Sequence, residues 1–372
     1  MNEPQQLYVA TRKGLFTLRR RDGAWETVGA AFLGEPVSMV LPDRRDGTVY
    51  AALNLGHFGV KFWRCRAGGE WEECAVPTYP PQPEGYVPNL PTPGDAPPAP
   101  PWSLVQIWSL EAGGPEQPGV LWAGTIPGGL FRSDDGGDTW QMNRPLWDRP
   151  ERAEWFGGGY DYPGIHSIHV DPRDSRHVTV AISCGGVWHT RDGGASWEVG
   201  CKGMEAGYMP PERREDPNIQ DPHRMTACAT QPDALWVQHH DGIFRSTDGG
   251  AHWRRVVAQP SSFGFAVAAH PHDPDTAWFV PAAQDACRVP VDAQLVVTRT
   301  RDGGQTFETL RAGLPQTPSY DLIYRHGLDV DATGQRLAMG STTGGLWLSE
   351  DGGDQWICLS AHLPPIYAVR FG

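Results

Sequence analysis

Short apolar runs alternate with polar, glycine-bearing turns along almost the whole chain, and the alternation has a period of two. LWAGT (121–125) leads to GGLFRS (128–133), VTVAIS (178–183) to GGVWHT (185–190), LWVQH (235–239) to GIFRS (242–246), and RLAMGS (336–341) to GGLWLS (344–349). Each pair predicts two short antiparallel strands joined by a tight turn. The second strand of a pair then runs into a further turn with a fixed spelling: SDDGGDTW from Ser133, TRDGGASW from Thr190, STDGGAHW from Ser246, TRDGGQTF from Thr300 and SEDGGDQW from Ser349. These starts lie 57, 56, 54 and 49 residues apart, a period that denotes one supersecondary unit repeated. In each copy the Asp can accept hydrogen bonds from its own loop and the glycines supply positive φ. The closing aromatic starts another strand and offers a large apolar face.

Two weaker copies extend the series, LYVAT with GLFTLRRRDGAW (7–11, 14–25) and TVYAAL with VKFWRCRAGGEW (48–53, 60–71). The closing aromatics are then Trp25, Trp71, Trp140, Trp197, Trp253, Phe307 and Trp356, which makes seven units. Candidate innermost strands lie between them at Val37–Leu41, Ser103–Leu110, Ile165–Val170, Met225–Thr230, Gly264–His270 and Asp321–Leu328. The missing seventh is supplied by the last residues, Ile366–Phe371. Closing a ring in this way removes exposed sheet edges. The expected fold is all-β, a seven-bladed β-propeller of four-stranded antiparallel blades over residues 1–372 as a single domain. A six-bladed ring with one stray hairpin is the alternative.

The five copies resemble the Asp-box, or BNR repeat, S/T-x-D-x-G-x-T-W, of sialidases and related propellers, and the likeness covers nearly the whole chain. The resemblance implies a propeller with Asp-box turns in a glycosyl-hydrolase-like branch of that superfamily, where the box is a structural turn remote from the active site. It does not imply sialidase chemistry. Sialidases carry an Arg-Ile-Pro motif in the first blade, where this chain reads TRKGLF (11–16), and they have six blades. The oligoxyloglucan hydrolases of the same superfamily set two propellers across a cleft, whereas this chain has length for one.

Charge and composition narrow the partners. The net charge is −13 with no long Lys/Arg run, which argues against nucleic acid. No stretch of 18 apolar residues occurs, which argues against a membrane span. The first residues, MNEPQQLYVAT, lack a basic region followed by an apolar one, and the seven cysteines are scattered without C-x-x-C. Both features predict a cytoplasmic protein with reduced thiols. A homo-oligomer is compatible with this composition.

Three long inter-blade insertions, at 75–101, 143–164 and 200–223, are consecutive and should lie on the face opposite the Asp boxes. Loops of this length in a compact domain are usually functional lids or disordered. The same face should collect Arg12 and Lys13 (TRKG), Asn54 and His57, Cys184, the QHHDG loop with His239 and His240, and Thr342 and Thr343. Strand entries there should bring Tyr160, Asp161, His166, Asp221, His223, Arg224, Tyr320 and Asp321. His270 and His272 belong to the other face as polar residues of a turn. His239 and His240 are adjacent, so one should face the channel while the other caps a loop.

The expected chemistry is that of a hydrolase or lyase on a small molecule or saccharide. His223, His239, His166 and Tyr160 are the catalytic candidates. Arg12, Lys13, His57, Arg224, His240 and Tyr320 are the substrate-binding candidates. A divalent transition metal held by several of the histidines, with Asp161, Asp221 or Asp241 beside it, is a variant of the same reading, although no close-spaced ligand motif marks it. Cys184 reads as a small buried residue rather than a nucleophile. The alternative throughout is a non-catalytic binding or assembly scaffold in which these polar side chains satisfy backbone groups.

Overall fold

The computed structural model describes residues 6–88 and 99–372. Their strands form seven four-stranded antiparallel sheets, the blades of a propeller ring. In chain order the first blade contains Ile366–Phe371, Gln6–Thr11, Gly14–Arg21 and Ala24–Ala31, and the second Val37–Pro42, Val49–Asn54, Val60–Cys65 and Trp71–Cys74. The third contains Gln106–Ala112, Leu121–Ile126, Leu130–Ser133 and Gln141–Met142, and the fourth Ile165–Val170, Val178–Ile182, Gly186–Thr190 and Glu198–Val199. The fifth contains Pro222–Cys228, Gln231–His239, Gly242–Ser246 and Arg254–Val256, and the sixth Gly264–Ala269, Ala277–Pro281, Val297–Thr300 and Glu308–Leu310. The seventh contains Leu328–Val330, Leu337–Gly340, Leu346–Ser349 and Trp356–Ser360. The six-bladed alternative is excluded. Among the described residues no helix is long and apolar enough to cross a membrane. Of the insertion at 75–101, residues 89–98 lie outside the described residues, as do residues 1–5 of the N-terminal segment.

The five DGG turns share one hydrogen-bond set. At Asp135, Oδ1 accepts from Ser133 Oγ at 2.8 Å and from the Thr139 amide at 2.9 Å, while Ser133 Oγ accepts from the Gly137 amide at 2.8 Å. The same three bonds recur at Asp192, Asp248, Asp302 and Asp351. The first glycine of each copy has φ between 70° and 73° and the second between 84° and 98°, which explains why the pair is spelled Gly-Gly every time.

Contacts divide the chain into two compact units, residues 1–42 with 223–372, and residues 43–222. In the first, Trp278, Trp347, Trp356, Leu295 and Met339 build one core cluster. Leu7, Val9, Leu346, Leu348, Ile366, Val369 and Phe371 build another, so the C-terminal strand is packed as well as paired. In the second unit Trp122, Trp155, Trp188, Trp197, Leu146 and Ile165 form the core cluster. The closing aromatics are only part of these cores. Trp122, Trp236 and Trp278 on second strands and Trp188 on a third strand are as completely buried as the closing Trp356.

An arginine on the third strand of one blade repeatedly clasps the DGG turn of the next. Arg64 Nη1 donates to Gly136 O at 3.2 Å, Arg245 Nη1 to Gly303 O at 3.1 Å, and Arg299 Nη1 to Gly352 O at 2.7 Å. Gly352 O also accepts from Trp278 Nε1 at 2.8 Å. The turn thus offers a carbonyl to its neighbour as well as satisfying itself, which is how a buried charge on a strand finds a partner.

One expected strand is displaced. The innermost strand of the seventh blade is Leu328–Val330, not Asp321–Leu328. Gly327 N bonds back to Tyr324 O at 2.7 Å, and the Asp321 carboxylate accepts from Ser319 Oγ at 2.6 Å and Ser341 Oγ at 2.8 Å. These bonds hold residues 321–327 as an irregular approach, so Tyr320 and Asp321 are not strand entries.

Candidate functional sites

In the unit formed by residues 43–222, a polar cluster gathers where the insertions 143–164 and 200–221 meet the fourth blade. Asp221 is 2 % exposed, and its Oδ1 accepts from the Cys184 amide at 3.2 Å and Ser183 Oγ at 3.3 Å. Ser183 Oγ in turn accepts from the Gly159 amide at 3.2 Å. Cys184 is buried, with φ 45° in the turn between the second and third strands, and serves through its backbone N–H. A Cβ at Gly158 would come within 2.7 Å of Cys184 Sγ and 3.0 Å of Asp221 Oδ1. The glycine run 157–159 is therefore required for the loop to approach the carboxylate.

Tyr160 and His166 meet the same indole. Tyr160 stands edge-on to Trp108 at 5.7 Å and His166 at 5.4 Å between ring centroids. The Tyr160 hydroxyl, on a ring 41 % exposed, donates to Gln106 Oε1 at 3.0 Å, which also accepts from Asn54 Nδ2 at 2.9 Å. His166 is fully buried with Nδ1 2.9 Å from Ser167 Oγ. His57 is exposed and lies against Phe58 at 3.9 Å, and Asp161 is exposed on the same loop as Tyr160.

In the other unit, His223 Nδ1 lies 2.7 Å from Gly264 O. A carbonyl only accepts, so Nδ1 carries the proton and Nε2 is the acceptor in the neutral ring. The ring stacks on Phe265 at 4.6 Å, with Phe263 at 5.8 Å and His240 at 5.5 Å edge-on. His239 diverges from His240, as strand alternation requires. It is fully buried, its Nδ1 accepts from the Asp241 amide at 3.0 Å, and its ring packs on Phe244. The loop cap is thus His239, and the ring beside His223 is His240. Arg224 is half-buried and Tyr320 is 62 % exposed. Arg12 and Lys13 are exposed on the turn between the first blade's second and third strands, with Arg12 N donating to Pro365 O. His270 and His272 sit in the turn after Gly264–Ala269, where His270 Nδ1 accepts from the His272 and Asp273 amides.

Sequence patterns did not single out Gln106, Ser183 or the group Trp147, Arg149, Arg152 and Trp155 of the insertion 143–164. The glycine run beside Tyr160 was the available signal for the first two. Nothing local marks the third group, because its geometry depends on where Tyr86 of the preceding insertion and Trp102 just after it come to lie.

No family model matches the chain. Over 289 residues it is 27% identical to the probable oligoxyloglucan-reducing end-specific xyloglucanase of Neosartorya fischeri, an alignment spanning 69% of this chain and 33% of that protein. Over 283 residues it is 25% identical to the oligoxyloglucan-reducing end-specific xyloglucanase of Emericella nidulans, spanning 68% and 32%. The chain thus spans about a third of the length of these curated relatives. Among solved structures, an ancestral GH74 enzyme superposes with a TM-score of 0.58 at 16% identity, covering 91% of this chain and 38% of that one, a likeness that shows the fold. The chain is a seven-bladed propeller similar in sequence, over two thirds of its length, to part of the xyloglucanases.

Proposed function

We propose that the protein is a glycosidase-like hydrolase acting on a saccharide. The observation that carries this reading is the sequence similarity to xyloglucanases across 69% of the chain. Glycoside hydrolysis needs a carboxyl group as acid or base and, in most families, a second one. Asp221, buried and met by two donors, is the first candidate, and Asp161, exposed on the adjoining loop beside Tyr160, is the second. Tyr160 and His57 contact the sugar in this reading, and His166 positions the Trp108 wall. In the other unit the acceptor nitrogen of His223 beside His240 acts as a base, and Arg224, Arg12, Lys13 and Tyr320 hold substrate hydroxyls. His239 holds its loop. The His223 tautomer is also the one a metal-bound imidazole requires, so elemental analysis for zinc, manganese or copper distinguishes imidazole as base from imidazole as ligand.

The test is release of reducing ends from a panel of neutral and acidic oligosaccharides, with Asp221→Asn as the variant. Loss of an acid or base at this position should cut turnover by roughly 10²–10⁴-fold with folding retained. Absence of turnover on the whole panel by the wild-type protein would overturn the reading. The non-catalytic scaffold is the second reading, favoured by the complete burial and local bonding of His166 and His239. In that case Asp221→Asn would change stability alone.

A further inference from the structure

We propose that the insertion 143–164 forms a binding site for a carboxylate-bearing sugar, with Arg152 as the group that reads the carboxylate. Three arginines lie in the first half of the insertion: Arg144 on the helical turn Arg144–Trp147, Arg152 on the turn Pro150–Glu154, and Arg149 between them. Arg144 pairs with Asp148 at 2.8 Å, and Arg149 pairs with Glu151 through Nε at 3.0 Å and Nη2 at 2.5 Å. Arg152 has no carboxylate within ion-pairing distance among the described residues. Its Nε donates to Trp147 O at 2.7 Å, and its Cζ lies 3.8 Å from the centroid of the Trp147 ring. The guanidinium therefore sits over an indole with Nε fixed, and its two terminal nitrogens make no hydrogen bond among the described residues. Burial lowers its pKa from the usual arginine value and outweighs the opposing charge of Asp148, which is paired with Arg144.

Space adjoins this cation on two sides. One cavity of about 390 Å³ is walled by Tyr86, Trp155, Arg149, Arg152 and several prolines, and another of about 330 Å³ by Trp102, Trp147, the same two arginines, three prolines and the paired Arg144 and Asp148. Volumes of this order suit a small ligand. The Trp155 Nε1 donor is buried in the wall of the first and has no partner among the described residues. A protein of net charge −13 thus carries a half-buried guanidinium with no ion-pair partner among the described residues, beside two aromatic-walled cavities. The planar fork matches a carboxylate, and one spare positive charge matches a monoanion better than a phosphate dianion. Flat aromatic and proline surfaces match the C–H faces of a pyranose ring. The choice of a sugar, rather than another carboxylate, rests on the saccharide reading above.

The experiment is calorimetric titration of the full chain with trigalacturonate, with cellotriose as the neutral match and inorganic phosphate as the plain anion. Trigalacturonate should bind at least about tenfold more tightly than either, and Arg152→Gln should abolish that preference. Should Arg152→Gln fail to fold, Ala153→Glu serves: Ala153 is an exposed lining residue of the first cavity, and a carboxylate there would occupy the guanidinium and weaken trigalacturonate by about tenfold. Equal affinity for trigalacturonate and cellotriose, or unchanged affinity in folded Ala153→Glu, would overturn the site. Phosphate binding as tightly as trigalacturonate would overturn the sugar assignment. Because the readout is binding, turnover of neutral oligosaccharides without trigalacturonate binding removes this inference and leaves the hydrolase reading standing. The converse result removes only the hydrolase reading.

Discussion

Leu7 and Phe371, near opposite ends of the chain, are register partners in the antiparallel pair that completes the first blade. Leu7 is fully buried and Phe371 nearly so, and Phe371 also meets Trp25 edge-on at 6.1 Å. The pairing does two things at once. It supplies the main-chain partner of Gln6–Thr11, and it buries Ile366, Val369 and Phe371 against Leu346 and Leu348.

Deleting residues 366–372 should therefore remove both a ladder and a core face. Each large apolar side chain involved contributes ~1.5–3 kcal/mol on burial, so the truncated chain should lose cooperative unfolding or melt at least about 10 °C lower. Differential scanning calorimetry reads this directly. A truncated chain that melts within about two degrees of the full one would show that the closing strand is dispensable.

The clasp of Arg299 on Gly352 gives a second expectation. Arg299 is 3 % exposed and is paired with Glu308 at 2.5 Å and Asp354 at 2.8 Å, both of which keep about half their side-chain surface in water. Arg299→Met leaves those carboxylates free to rehydrate, and Gly352 O retains Trp278 Nε1. The cost should be about 2 kcal/mol rather than the ~3–5 kcal/mol of a stranded buried charge. Urea denaturation measures it. An unchanged midpoint would mean that the clasp is not energetically significant.

The fourth blade should make stability fall with acid in two steps. Burial pushes the His169 pKa down to about 4, and its Nε2 is sealed without a partner among the described residues. The ring is neutral in the fold, so as pH drops from about 6.5 to about 4 the unfolded chain takes up a proton that the folded chain refuses. Stability present above pH 6.5 is lost across that window, by on the order of 1–3 kcal/mol. Burial opposes ionisation of Asp171, yet hydrogen bonds from Arg173 hold its pKa at about 2, so its contribution is lost at still lower pH. Urea midpoints measured between pH 7.5 and 4.5 should slope downward, and His169→Gln should flatten the slope. The same slope in His169→Gln would assign the effect elsewhere, with His177 the next group to test, since burial lowers its pKa too.

Much of this fold is legible in neighbouring residues. Alternation gives strands, and DGG with a Ser or Thr two residues before the Asp gives the turn, because every bond in that turn lies within five residues of sequence. The repeat count and the unpaired last strand then give seven blades closed by Ile366–Phe371. Local signals fail where partners come from afar. The displaced strand at Asp321–Leu328 is one such case, since the Asp321 carboxylate is claimed by Ser341. The adjacent pair His239 and His240 is another. Alternation requires them to diverge, but Asp241 N and Phe244 on one side, and His223 and Phe263 on the other, determine which ring caps a turn and which joins the cluster. Arg149 and Arg152 look alike in RPERAEW, yet one is ion-paired with Glu151 and the other lies over Trp147 with no ion-pair partner among the described residues. The sequence determined the backbone plan, because alternation and the hydrogen bonds of hairpins and turns are local. Tertiary structure decided which polar side chains are used up and which are left to act, because that depends on partners brought in from other strands and loops.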